Sequence, residues 1–103
     1  MAMKSRSLMS DETDPRCFVC GSNVVAVHHV YGGTGRRPIS DREGCWVYLC
    51  PYHHNASNDG VHFNKDLDIE IKRICQSRWE RREGLEGEGA HDEFRKRFGI
   101  SYL

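Results

Sequence analysis

The sequence predicts a small α+β domain built around bound metal. Three observations carry that expectation: a cysteine/histidine cluster at ligand spacing, two β-rich segments on either side of a glycine-rich stretch, and a long amphipathic helix after them. At 103 residues the chain has room for one domain. A domain of this size buries only about 60–65% of its unfolded surface. With 38% hydrophobic residues and a mean hydropathy of −0.68, the core is thin even for that length. A structural metal would supply stabilisation that burial does not.

Taken in order, residues 1–14 are polar and end at Pro15, so they read as a flexible N-terminal arm, with the domain proper over 15–103. Cys17-Phe18-Val19-Cys20-Gly21 reads as a tight knuckle. Residues 24–30 are β-rich and predict a strand. Residues 32–38, with Gly32, Gly33, Gly35 and Pro38, predict a loop. A second strand follows over 45–49, ended by Cys50-Pro51. Proline suits the first turn of a helix, where its missing N–H is no loss. That short helix would carry His53, His54 and, one turn on, Asn58, before Gly60 weakens it. Asn64 is the natural N-cap of a longer helix over 65–82. Its Leu67, Ile71, Ile74 and Cys75 recur at helical spacing and form one face toward the core. Residues 84–89 read as a linker, and a last short helix carries Phe94 and Phe98 with Gly99 as its stop.

Fifteen basic and fifteen acidic side chains leave no net charge with histidines neutral. A globally basic field is therefore excluded, and any nucleic-acid contact must come from a local patch. Five cysteines, an odd count, fit a disulfide framework poorly. The N-terminal run has no apolar core like that of a signal peptide, and no stretch reaches transmembrane length. The expectation is a cytoplasmic protein without a membrane partner, in a reducing compartment where clustered cysteines bind metal.

Four of the five cysteines and five of the six histidines fall between positions 17 and 62. Two half-sites stand out, Cys17-x-x-Cys20 and Cys50-x-x-His53. The first sets two thiolates on one ion, and the second presents a thiolate and an imidazole from a strand-to-helix junction. Together they make a closed tetrahedral zinc site. Twenty-nine residues separate Cys20 from Cys50, far more than in a C2H2 finger, so the gap must hold a hairpin. The remaining histidines, His28, His29, His54 and His62, suit a second site. Neighbouring strand residues point to opposite faces, so His28 and His29 divide labour: one holds metal and the other is free for proton transfer. His53 and His54 split in the same way on their helix. Asn58 lies at i+4 from His54.

The order CxxC, HHV before a Gly-rich loop, LCPYHH and VHFN resembles the HNH (ββα-metal) endonuclease family. It is most similar to the small HNH proteins of phages and prophages, which share an F-G-x-x-Y-L ending, here from Phe98 to Leu103. The resemblance runs from Cys17 to the C-terminus and implies a zinc-stabilised ββα-metal core with a C-terminal helical extension. It implies a metal-dependent DNA endonuclease in which His29 is the general base. His28 and His54 would hold the catalytic ion, with His62 or Asn58 as third ligand; the VH pattern favours His62. The family's middle Asn would fall near Gly44 or Cys45, which carry no equivalent side chain. Expected products are 5′-phosphate and 3′-hydroxyl ends. Imidazole ligands favour Mn²⁺, Co²⁺, Ni²⁺ or Zn²⁺, while abundance favours Mg²⁺ as the working ion. The family also points to action as a homodimer or within a larger phage or recombination assembly.

Arg36 and Arg37, between the strands, are the candidates for phosphate contacts. Lys72, Arg73, Arg78, Arg81 and Arg82 form a second basic group, interrupted by Glu80 and Glu83 as on a solvated helix face. Two rival readings fit the same residues. One is a catalytically silent zinc module that binds DNA or a protein, and the other is a redox sensor that uses the CxxC thiols.

Overall fold

The computed structural model describes residues 6–32 and 35–103; Gly33 and Thr34, within the expected loop, and the first five residues of the expected arm lie outside them. The chain runs β1 (Ala26–His29), α1 (Arg37–Glu43), β2 (Trp46–Leu49), α2 (Pro51–His54), α3 (Lys65–Arg82) and α4 (Gly87–Phe98). This is an α+β arrangement, with one two-stranded antiparallel sheet and four helices among the described residues. No described helix is long and apolar enough to cross a membrane. In the sheet Ala26 pairs with Leu49, His28 with Val47 and His29 with Trp46. Four-residue strands cannot hold such a ribbon together alone. Its stability comes from what packs beneath and along it, beginning with the fully buried Val47 and Leu49.

The expected loop over 32–38 is in part a helix. Arg37 starts α1, Pro38 lies in its first turn, and Gly44 closes it in the left-handed region at φ +78°. Tertiary contacts stabilise this seven-residue helix where sequence periodicity could not. Buried Ser40 donates its hydroxyl to the Tyr31 carbonyl at 2.9 Å, and the Cys45 N–H returns to the Ser40 carbonyl at 2.8 Å.

The expected flexible arm is tied down along residues 7–10. The Ser7 hydroxyl donates to the Trp46 carbonyl, Tyr48 N–H donates to the Ser10 hydroxyl, and Leu8 N–H donates to the Gly44 carbonyl. Met9 is buried. Phe18 N–H, from the knuckle, takes the Tyr48 carbonyl. Arm and knuckle thus satisfy the backbone groups that β2 turns away from β1, which an open edge would leave bare.

α3 begins where cap chemistry predicts. Asn64 accepts from Leu67 N–H at 3.1 Å through its side chain. Ile71, Cys75 and Trp79 are buried, with Leu67 and Ile74 packed at the margin. α4 starts at Gly87, inside the expected linker, and sets Ala90, Phe94 and Phe98 against α3 and Tyr31. Phe94 and Phe98 stack at 4.5 Å, and Trp79 meets Phe94 edge-on at 5.5 Å. The C-terminal residues close the layer: buried Gln76 accepts from Tyr102 N–H at 2.8 Å and donates to Ser101 at 2.9 Å. The basic side chains of α3 are mostly engaged. Lys72 pairs with Asp68, Arg73 donates to the Tyr102 carbonyl, Arg78 to the Leu8 carbonyl and Arg82 to Glu43.

Glu43, at the end of α1, fastens three helices. It accepts from Trp79 Nε1 at 2.8 Å and pairs with Arg82 at 3.2 Å and Arg97 at 2.8 Å, with only 13% of its side chain exposed. Burial opposes its charge, but the Trp79 N–H and the two guanidiniums outweigh that and hold the carboxyl below its ordinary value. A depressed folded-state value means the unfolded chain takes up the proton first as pH falls. The clasp therefore stabilises fully above the usual carboxylate range and is lost as pH drops through the lowered folded value. Glu43→Gln is expected to lower the urea midpoint at pH 7, with the gap from the unmutated protein narrowing below about pH 4. A gap that stays constant with pH would rule out the charged clasp.

Candidate metal centres

Cys17, Cys20, Cys50 and His53 converge on one point and can hold a metal ion such as zinc. The half-sites come from two sharp local structures. In the knuckle, Gly21 N–H returns to the Cys17 carbonyl at 2.9 Å, and Cys17 N–H bonds Ser22 at 2.8 Å. In the second, Cys50 caps α2, so the His53 and His54 amides both bond its carbonyl. Cys20 and Cys50 sulfurs are 3.6 Å apart, and His53 Nδ1 lies 3.8 Å from Cys17 Sγ and 3.4 Å from Cys50 Sγ. A regular tetrahedron around zinc has edges of about 3.8 Å between sulfurs and about 3.5 Å from sulfur to nitrogen. The donors already stand close to that spacing.

Thiol chemistry agrees with this use. Burial works against ionising Cys17, but the N–H groups of Cys50, Cys20 and Val19 and the Cys20 thiol overcome it and bring Cys17 down to about 6. At Cys20 the Ser22 N–H pulls downward, yet desolvation and the neighbouring Cys50 and Cys17 sulfurs leave it above its ordinary value. One thiol is thus ready to ionise, and the next waits for a cation. Cys45 and Cys75 take no part. They are fully buried in the core, and the Cys45 thiol is pushed up by its contact with Cys75 and by burial.

A second cluster gathers His28, His54 and His62, whose ligating nitrogens lie within 4.8 Å of one another. Ring centres are 5.1 Å apart for His28–His54, 5.7 Å for His28–His62 and 4.8 Å for His54–His62. β1 supplies the first and the end of α2 the second. His62 arrives because the chain doubles back: Val61 N–H bonds the His53 carbonyl at 2.9 Å, and His62 N–H bonds the His54 carbonyl at 3.2 Å. Gly60 permits the approach, since a Cβ there would stand 2.7 Å from the His54 carbonyl oxygen. His28 Nε2 is buried without a hydrogen-bond partner, alone in this among the described side chains. Such a bare nitrogen costs about 1–3 kcal/mol unless something else binds it. Burial, then the neighbouring His54 and His62, push His28 down to about 4. His54 is likewise lowered, by burial and then His62. At neutral pH His28 and His54 therefore keep the free lone pairs that a cation requires. His62 is exposed, so the cluster opens to solvent.

His29 stands apart from both clusters. Its Nε2 lies 2.9 Å from Asp41 Oδ1, with about a quarter of each side chain exposed. Sequence reading did not single out Asp41; it is on α1, twelve positions from His29, and no motif spacing links them. Asn58 does not share a helical face with His54, because α2 ends at His54 and Asn58 sits in the exposed turn beyond. Arg36 and Arg37 are exposed at the start of α1, and the Arg36 guanidinium lies beside Gly99. No family model, curated protein or solved structure matches this chain.

Proposed function

We propose that the protein is a metal-dependent DNA endonuclease of the HNH type, with a ββα-metal core of β1, β2 and α2. In this reading Cys17, Cys20, Cys50 and His53 hold a structural zinc. His28, His54 and His62 hold the working divalent ion. The observation that carries the reading is the partnerless, buried Nε2 of His28 within a trio of imidazoles open to solvent. Two donor sets of different chemistry also argue for two tasks. A closed thiolate-rich site serves folding, whereas three imidazoles leave coordination positions free. A bound ion supplies charge neutralisation at the phosphate and the departing oxygen.

The chain's own contribution is proton transfer and alignment. His29, next to His28 on β1 but turned to a different partner, takes the proton from the attacking water. Arg36 and Arg37 contact phosphates flanking the cut and hold the strand across the site. With no net charge on the chain, binding rests on this local patch, and cleavage follows DNA shape more than base sequence.

Nicking of supercoiled plasmid with Mg²⁺, Mn²⁺ or Ni²⁺ tests the proposal. Activity is expected with at least one ion and none after chelation. His29→Ala should lower the rate about 10²–10⁴-fold. No cleavage with any ion would leave the zinc module without catalysis, and full activity in His29→Ala would remove the general-base assignment.

A further inference from the structure

We infer that Asp41 is the positioning residue for His29. This rests on the nuclease reading above and gives a carboxylate on α1 the task of orienting the base. The geometry is direct, with Asp41 Oδ1 2.9 Å from His29 Nε2. A carboxylate only accepts, so the neutral ring must carry its proton on Nε2. That leaves the lone pair on Nδ1, the nitrogen available to take a proton from water. The bond also fixes the plane of the ring.

The carboxylate itself is held on a fixed support. Ser40, the preceding residue, is fully buried and hydrogen-bonded to the Tyr31 carbonyl, just past the end of β1. Ser40 N–H bonds the Arg36 carbonyl at 2.8 Å, and Ser40 also receives the Cys45 N–H. Glu43 ties the far end of α1 to α3 and α4. α1 is thus locked to the strand that bears His29 and to the helical layer behind it. A surface ion pair would be expected to have mobile partners at both ends. Here one partner is on a strand and the other beside a buried anchor, as a group that orients a base requires.

Two measurements test this on the zinc-loaded chain. Ring ¹H–¹⁵N correlations should show His29 wholly as the Nε2–H tautomer, and Asp41→Ala should let the Nδ1–H form appear beside it. Nicking kinetics should show kcat down about 10- to 100-fold with KM unchanged. Asp41→Asn, of the same shape, guards against a folding defect and should fall between the two. An Nδ1–H tautomer in the unmutated protein overturns the assignment. So does a fall in kcat with the tautomer unchanged. Asp41→Ala that nicks normally while His29→Ala is inactive also overturns it, and leaves the nuclease reading intact. If the unmutated protein fails to nick with any ion, the nuclease reading falls and a catalytic purpose for Asp41 falls with it.

Discussion

Stripping zinc from the site proposed at Cys17, Cys20, Cys50 and His53 is expected to unfold the protein. These ligands join the knuckle to the junction of β2 and α2, across a gap that contains the whole hairpin. The sheet they brace has only four residues per strand. Structural zinc binds zinc-finger peptides with about 10–16 kcal/mol, and a whole domain is stable by only about 5–15 kcal/mol. Loss of the ion therefore removes an amount comparable to the entire stability. Chelation should abolish the cooperative thermal transition seen by circular dichroism. Cys50→Ser should do the same without chelator, because it removes one of the four donors while serine still suits the N-cap position of α2. The intact protein should contain one tightly held zinc per chain. A metal-free chain that still melts cooperatively near the original temperature would show that the core suffices alone.

That centre was legible because its chemistry is local. Cys17-x-x-Cys20 and Cys50-x-x-His53 each fit one turn of backbone, so spacing alone assembles each half-site, and the hairpin between them brings the two together. The start of α3 was legible for the same reason, since Asn64 needs only its own helix to act as a cap. α1 and Asp41 depend on distant partners. Seven residues containing a proline carry little helical periodicity, and what holds them is Ser40 against Tyr31 and Glu43 against Trp79. The polar arm is a similar case. Ser7 and Ser10 look like disorder in composition, but they are hydrogen-bond partners for an edge strand. Gly60 reads from sequence as a helix weakener. In the fold it ends the excursion after α2 and lets His62 return to His54.

This return makes the second cluster sensitive at two positions, one chemical and one steric. His54→Ala removes an imidazole that lies between His28 and His62 in chain order and within ring contact of both. On the nuclease proposal, nicking is expected to drop to background, a loss on the order of a thousandfold or more. His54 is only partly buried, so zinc content and melting temperature should change little. Gly60→Ala keeps all three imidazoles, and its φ lies outside the left-handed region, so its effect is not conformational preference. The added methyl would meet the His54 carbonyl carbon at 2.8 Å and the Asn55 nitrogen at 3.1 Å. Both neighbours are backbone and cannot swing aside. Residues 61 and 62 must then move away and give up their bonds to His53 and His54. A site with two well-placed ligands binds its ion more weakly than one with three. Gly60→Ala should therefore need more Mn²⁺ for half-maximal nicking and recover activity as Mn²⁺ rises, whereas His54→Ala should not recover. Wild-type rates in both variants, with zinc retained, would show that the working ion binds elsewhere.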